Sequence, residues 1–573
     1  MGSHIIIIIT KRNIIIVNCG STSINFVEDV LNRGYNPIFL DTRPIDSEEG
    51  QKFGELVFTS HAHIKNVELI HEQESYEDTL ELVRQYDPLL ILPGTEKGVV
   101  LATRLAYDLN LKGNSIENID AMTLKNEMQN RIRERGLRSI RGKVVSSIDE
   151  AIEFYDAEGL KEVVLKPTSS AGSVGVHICS NKQEMISALE DSFSKTNLYG
   201  EALSEMLVQE CIVGDEYIVN TVSCEGMHRV TLVWKYNKIK TAEGAIIYDT
   251  CETVNELNIA EAEMIEYAYD VADAMGIQYG PVHGEYMIDE NGPVLIEVNC
   301  RPCGGGMTAE FLDKIAGHHE TDCILDAYLK PDHFKEKLKQ KYQLYAYGAV
   351  KFFIVPDEIA AIASPMSNIS VKLRSHVKTK MVDVNETDMK VFPKTKDLFG
   401  SCGTVFLAHK DYDVIQNNID YLRNVEKHAF PLVLSEKNPI NKGDLQNDLD
   451  NLKELIKSNS KYGTGLLVSD KFVDGCGILQ LHPDEISPVV SGFDYIILNL
   501  NDIMFEYKID DIVKILLNCF ENVKTGGVII IPKSSYQLFN GGRRGVEALI
   551  KLLDLKIELP PYHIKDTIVA SKR

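Results

Sequence analysis

The sequence predicts a multidomain protein of α/β and α+β units, and three observations carry that reading. The first is length: 573 residues are too many for one hydrophobic core and imply about three or four domains. The second is a strand–helix–strand rhythm near the start. The apolar runs NIIIVNC (13–19), NPIFLDT (36–42) and DPLLILPGTE (87–96) alternate with helical stretches, which implies a parallel sheet. The third is a change of texture after residue 120, where amphipathic helices alternate with hairpin-like pairs of strands.

Taken in order, residues 1–12 read as a tag remnant with a run of five isoleucines, too short to span a bilayer. Residues 13–119 form the N-terminal α/β domain. Its first helix runs to Leu31 and a later one through Leu109. Its first turn, NCGSTSINF, has a single glycine and lacks the G-x-G-x-x-G fingerprint, so dinucleotide binding is not expected. Residues 120–335 form the next domain. LKNEMQNRIRERGL is an amphipathic helix closed by Gly136. A small α+β lid spans about 145–212. In it, EVVLKPTSSAGSVGVHICSN reads as strand, Gly/Ser loop, strand, and the Walker pattern G-x-x-x-x-G-K-[ST] is absent. A helix over 182–192 and a strand over 207–212 follow. Residues 215–322 read as a mixed sheet crossed by a helix over 260–275. Residues 336–436 form a strand-rich lobe with a helix over 413–425. The polar stretch KNPINKGDLQNDLDN marks a boundary, and 437–573 form a last α/β domain.

Composition narrows the function. The net charge of -24 argues against a general nucleic-acid binder, and there is no polybasic run for an anionic membrane. No segment is long and apolar enough to be a transmembrane helix. Eleven scattered cysteines do not make a disulfide framework, so reduced thiols and a cytoplasmic setting are expected. Only Cys300 and Cys303 stand in a C-x-x-C spacing. Without a second pair that is a poor zinc signal, and small residues tolerated beside a site are the plainer reading.

The chemistry concentrates in HGEYMIDENGPVLIEVNCRPCGGGM. Glu285 and Glu297 lie on two strands joined through Asn291-Gly292, a strong hairpin signal. Asn299 follows two residues after Glu297 and shares its face by strand alternation. Two carboxylates and an amide make a hard oxygen-ligand set suited to Mg²⁺. The plain alternative is an acidic strand face. His283, two residues before Glu285, is a candidate substrate contact or a structural histidine. Lys166 ends the strand VVLK, directly before a loop whose glycines and serines suit phosphates. Lys125 opens a helix. In QECIVGDEY, a strand runs into Gly214 and Glu216.

In this order the motifs resemble the ATP-grasp superfamily of carboxylate–amine ligases over about residues 13–436, in wording nearest the bacterial L-amino-acid (dipeptide) ligases. The resemblance implies the ATP-grasp fold. It implies ATP held by Lys125, Lys166, Ser169, Ser170, Ser173, Gln209, Glu210, Ile212 and Glu216. Glu285, Glu297 and Asn299 would hold Mg²⁺, two ions, with Mn²⁺ able to substitute. Arg301 and Lys166 would be catalytic, and His283, Arg301, Gly304 and Gly305 would contact substrate. It further implies small-molecule carboxylate and amine substrates, an acyl phosphate, and a homodimer. A disulfide between Cys300 and Cys303 would distort the metal strand, a sharper alternative to inert thiols.

The last domain, with FDYIILNLNDI, a helix over 509–520, KTGGVIIIP and a terminal hairpin, resembles the second half of a class I methyltransferase fold. It lacks a glycine-rich first turn for S-adenosylmethionine, so docking or oligomerisation is expected of it. Two other readings stay open: a ligase for a non-amino-acid carboxylate, and a non-catalytic nucleotide-binding scaffold. Retention of every charged position argues against the scaffold.

Overall fold

The computed structural model describes residues 12–43, 67–168, 175–194, 203–240, 246–355 and 403–428, with short segments of 356–402 and 429–573. The chain divides into two compact units. One holds 1–238, 250–349 and 408–411; the other holds 239–249, 350–407 and 412–573.

The first unit opens with a four-stranded parallel sheet of β1 (Asn13–Val17), β2 (Asn36–Asp41), β3 (Glu68–His71) and β4 (Pro88–Pro93), in the order β3-β2-β1-β4. β1 is buried on both faces: Ile14 and Ile16 join one core, Ile15 and Val17 another. That is why it reads as an unbroken apolar run. β3 went unread in the sequence because three of its four residues, ELIH, are exposed at the sheet edge. The turn after β4 sits tightly over the end of β1. A Cβ on Gly94 would lie 2.6 Å from the Asn18 carbonyl oxygen, and one on Gly98 2.5 Å from that of Val17. Only glycine permits this approach, and it projects Glu96 from between them.

The segment read as a lid holds a second sheet of β5 (Gly142–Val145), β6 (Val163–Lys166), β7 (His177–Cys179) and β8 (Met206–Glu210), in the order β5-β8-β6-β7 with antiparallel pairings. The helices Ile148–Ala157 and Lys182–Phe193 cover it, each capped by a side chain, Ser147 and Asn181. The β6–β7 pair is the expected hairpin.

The central strands are β9 (Asp215–Cys224), β10 (Met227–Lys240), β11 (Ile246–Thr253), β12 (Tyr279–Asp289) and β13 (Gly292–Asn299). Within the first unit the order is β13-β12-β9-β10, and these pairings are antiparallel rather than mixed. The helix Ile259–Ala274, opened by an Asn258–Glu261 capping box, packs its apolar side on this sheet through Met264, Ala268 and Val271.

In the second unit the strands are β14 (Tyr347–Phe352), β15 (Ile359–Ala361), β16 (His376–Met381), β17 (Lys390–Phe392) and β18 (Gly403–His409). β15 pairs with β17 and β16 with β18, both antiparallel, and the helix Tyr412–His428 follows. Lys351 is fully buried here between Asp249 and Glu426. The last strands are β19 (Gly465–Ser469), β20 (Leu479–Leu481), β21 (Phe493–Asn499), β22 (Val523–Ile531), β23 (Leu555–Glu558) and β24 (Ile568–Lys572). Their order is β20-β19-β21-β22-β24-β23, with β24 antiparallel to both neighbours. The boundary read near residue 436, the isoleucine run and nearly all of the helix expected over 509–520 lie outside the described residues.

Candidate active site

The hairpin β12–β13 builds the centre of the site. Glu285 stands directly opposite Glu297, and His283 opposite Asn299. The register slips by one between Glu285 and Tyr286, so Ile296 is the extra residue of a bulge. Without the bulge, counting from the turn would put the two glutamates on opposite faces. The next strand adds to the same face, since His283 pairs with Asn220 and Met287 with Glu216. The Asn299 amide nitrogen donates to Glu297 Oε1 at 3.3 Å.

Lys125, Lys166 and Arg301 meet this acidic face, besides Lys238 on Glu216. Lys125 Nζ lies 2.8 Å from Glu297 Oε2. Its helix, Lys125–Glu134, is fixed by the buried Gln129, which donates to the Leu295 carbonyl and accepts from the Ile140 amide, each at 2.8 Å. Burial opposes the Lys125 charge, but Glu297 and Glu96 outweigh it and raise its pKa. Lys166 comes from the end of β6 and is buried. Desolvation, then repulsion from Lys125, lowers its pKa to about 8, against the pull of Glu297, Glu285 and Glu216. Arg301 follows β13, and its Nη2 lies 3.9 Å from Glu96 Oε2.

The acids respond differently. Burial raises Glu285, but a hydrogen bond from His283 and the charges of His283, Lys238 and Arg301 pull it down to about 2. Burial raises Glu96 against the opposing pull of Lys125 and Arg301. Burial likewise raises Glu216, although Lys238 Nζ donates to both its oxygens at 2.7 and 2.8 Å. His283 is held by Asn220, 2.8 Å from its Nδ1. Burial disfavours its charge, yet Cys303 and Glu285 outweigh burial and Arg301 and raise its pKa to about 9.

The loop after β13 is gripped from two sides. Thr22 Oγ1 donates to the Gly304 carbonyl at 2.9 Å, the Gly306 amide donates to Ser21 Oγ at 2.9 Å, and the Met307 amide donates to Thr22 Oγ1 at 3.0 Å. The single-glycine turn NCGSTSINF therefore clasps this loop. On the other side the Cys303 amide donates to Glu320 Oε2 at 2.9 Å.

Lys125, Lys166, Glu216, His283, Glu285, Glu297, Asn299 and Arg301 are thus brought together. Gln209 is buried inside the lid against Gly142. The Glu210 amide donates to the Arg141 carbonyl, and its carboxylate holds the Arg141 guanidinium and amide. Ile212 follows β8, half-buried. Ser169, Ser170 and Ser173 lie outside the described residues. Sequence reasoning missed Glu96, Asn220, Lys238 and Glu320. Glu96 alone had a local signal, standing just past the strand end in LPGTE. Cys300 packs in the core with Tyr286, and burial pushes its thiol up to about 12, whereas Cys303 lies beside His283. All nine cysteines among the described residues are free thiols.

The residues fit a divalent cation. The donors are carboxylate and amide oxygens on one strand face, the set that Mg²⁺ prefers. Among the described residues a second cluster, Asp29, His319 and Asp322, has metal-like spacing. It is already neutralised: His319 Nε2 lies 2.9 Å from Asp29, and Arg33 lies 2.6 Å from Asp322.

Residues 160–310 match the family model described as an ATP-grasp domain. The chain is 26% identical over 373 residues to dapdiamide A synthase of Enterobacter agglomerans, covering 64% of this chain and 86% of that protein. It is 30% identical over 208 residues to D-alanine–D-alanine ligase of Lacticaseibacillus casei (strain BL23), covering 34% of this chain but only 53% of that one. In fold it is similar to the crystal structure of an L-amino acid ligase from Bacillus licheniformis, with a TM-score of 0.57 and 16% identity over 72% of this chain and 97% of that one. This chain therefore carries an ATP-grasp domain, and the matched residues include Lys166, Glu216, Glu285, Glu297, Asn299 and Arg301.

Proposed function

We propose that the protein is an ATP-dependent ligase that joins a carboxylate, an amino acid, to an amine through an acyl phosphate. The observation that carries this reading is the strand face on which Glu285 opposes Glu297 beside Asn299, confronted by Lys125, Lys166 and Arg301. The relatedness to dapdiamide A synthase and D-alanine–D-alanine ligase supports it.

In this reading the substrate carboxylate attacks the γ-phosphorus of ATP, the bond to the bridging oxygen breaks, and ADP leaves. The amine then attacks the acyl carbon and phosphate departs. Phosphoryl transfer needs positioning and neutralised charge more than covalent help. Lys125 and Lys166 supply fixed cations for the phosphates, and Lys166, poorly compensated without them, gains its counter-charge when ATP arrives. Glu285, Glu297 and Asn299 would hold Mg²⁺, two ions, with Mn²⁺ as a substitute. When bound, these ions neutralise phosphate oxygens. Arg301 and the backbone of Gly304 and Gly305 face the transferred phosphoryl group, and Ser169, Ser170 and Ser173, which lie outside the described residues, are proposed to contact the ATP phosphates. Glu216 takes the ribose, and the β8 end takes the adenine through the Glu210 carbonyl and the Ile212 backbone, since Gln209 is buried and the Glu210 amide and carboxylate are engaged by Arg141. His283, held by Asn220 at 2.8 Å and with its Nε2 3.6 Å from Glu285 Oε1, steadies Glu285 and is the candidate substrate contact on this face.

The order of the terminal sheet, with an antiparallel β24 between β22 and β23, supports a methyltransferase-like unit; docking or oligomerisation is the role proposed for it, and a cytoplasmic homodimer the proposed setting. The test is ADP release with Mg-ATP against amino acids, singly and in pairs, with mass spectrometry of products and Glu297→Ala as control. ADP release that needs a pair, gives a condensed product and disappears in the variant is the expected result. ATP binding without turnover on any pair would overturn the amino-acid reading.

A further inference from the structure

This inference rests on the ligase reading above and concerns a residue it does not use. We propose that Glu320 is the positioning residue of loop 301–306, setting the backbone that meets the acyl phosphate by holding the Cys303 amide.

The loop is tied at both ends of a short span. Glu320 Oε2 holds the Cys303 amide at 2.9 Å, and Ser21 and Thr22 hold the Gly304 carbonyl and the Gly306 and Met307 amides. Between these ties the Gly304 and Gly305 amides donate to no group among the described residues. Gly305 and Gly306 adopt φ of +78° and +60°, a left-handed backbone that lets neighbouring N–H groups converge on an anion. A Cβ on Gly304 would meet nothing within 4 Å, so the side of the loop it faces is open.

Glu320 is an odd choice for stability alone. The residue is 5% exposed, and its buried Oε1 has no hydrogen-bond partner among the described residues. Burial raises its pKa to about 7, against the Cys303 hydrogen bond and the nearby charges of His283 and Arg301. A buried acid satisfied by one N–H calls for a role beyond packing. Its base is firm: it opens the helix Glu320–Leu329, whose Cys323, Ile324 and Leu325 sit in a core with the N-terminal sheet. The helix therefore offers a rigid point from which one acceptor fixes the loop that carries Arg301. With the tie cut, the loop still forms, but the acyl phosphate loses its fixed donors and is exposed to water.

The test measures amide formed per ADP released, with an acid–amine pair that the wild type condenses, for the full chain and three variants. Glu320→Gln keeps the acceptor and should match the wild type. Glu320→Ala, and Glu320→Asp with its shorter reach, should still release ADP while amide per ADP falls at least about twofold, because water takes the intermediate. Hydrogen exchange at the Cys303 amide, read without turnover, should quicken about tenfold in Ala and Asp but not in Gln. Unchanged coupling in both Ala and Asp, or equal damage in Gln, would overturn the proposal. A wild type that releases ADP but forms no amide with any pair would instead remove the ligase reading, and unchanged exchange at Cys303 would separately refute the tie.

Discussion

Two clusters of buried charge sit in the same unit, and they are built on opposite principles. At Asp29–His319–Arg33, every charge meets its opposite. His319 lies between Asp29 at 2.9 Å and Asp313 at 2.8 Å, Thr321 Oγ1 donates to Asp29 at 2.6 Å, and Arg33 reaches both Asp322 and Asp326. At the β12–β13 face the pairing is incomplete. Lys125 is matched to Glu297, but Lys166 sits near another lysine with its pKa depressed, and Glu96 keeps an acid raised by burial. The first arrangement joins the helix Phe26–Asn32 to the helix Glu320–Leu329. The second holds charge ready for a ligand that brings the missing counter-charges. Perturbed titration in a cluster that lacks full pairing marks a working site; perturbed titration in a satisfied cluster marks a joint.

Substitution should separate the two. Glu285→Gln should lower amide formation by about 10²–10³-fold, the size expected for loss of a group that organises transition-state charge, while the melting temperature stays close to that of the wild type. Equal losses of activity and stability would show the strand face to be a joint as well. Asp29→Asn should do the reverse. It removes a charged acceptor from His319 and Thr321 and should cost about 2–3 kcal/mol in chemical denaturation, with the specific activity of the folded enzyme retained.

The pH dependence sharpens the contrast further. The hydrogen bonds of Asp29 and Asp313 outweigh burial and raise His319 to about 10. A base with a raised folded-state pKa contributes stability in full below its unfolded value of about 6.5 and loses it as pH rises through the folded value. The melting temperature should therefore fall between pH 7 and 10, and His319→Gln should flatten that part of the curve. Lys166 has the opposite sign, since its folded-state pKa is lowered to about 8. Above pH 8 it is neutral in the free protein, and ATP restores the charge. Calorimetry at pH 9 in buffers of different ionisation enthalpy should record uptake of up to about one proton with ATP, and Lys166→Met should abolish it. No uptake would separate Lys166 from the phosphates.

Much of the site was legible because its centre is local. The turn at Asn291-Gly292 pairs two strands contiguous in sequence, so Glu285 and Glu297 fall near one another and Asn299 follows Glu297 by alternation; the bulge at Ile296, which no local signal gives, is what puts the two glutamates on one face. Lys125 and Lys166 were readable as the start of a helix and the end of a strand. The N-terminal parallel sheet was readable because doubly buried strands leave apolar runs. What could not be read has a common cause. Glu320 and the clasp of Ser21 and Thr22 on Gly304 and Gly306 reach the site from elements far apart in the chain, and even Glu96, marked locally by its strand end, gave no sign of which loop it meets, because no periodicity encodes that.

The sequence by itself thus determined the hairpin, its acids, the lysines at element ends and the α/β opening, because hydrogen-bond register and side-chain alternation act over a few residues. Tertiary structure decided the rest. It placed the lid so that Lys166 approaches Lys125 and bound Glu216 to Lys238. It also turned a C-x-x-C pair into one core thiol and one loop tie. Those outcomes depend on desolvation and on charges that meet only when distant segments pack.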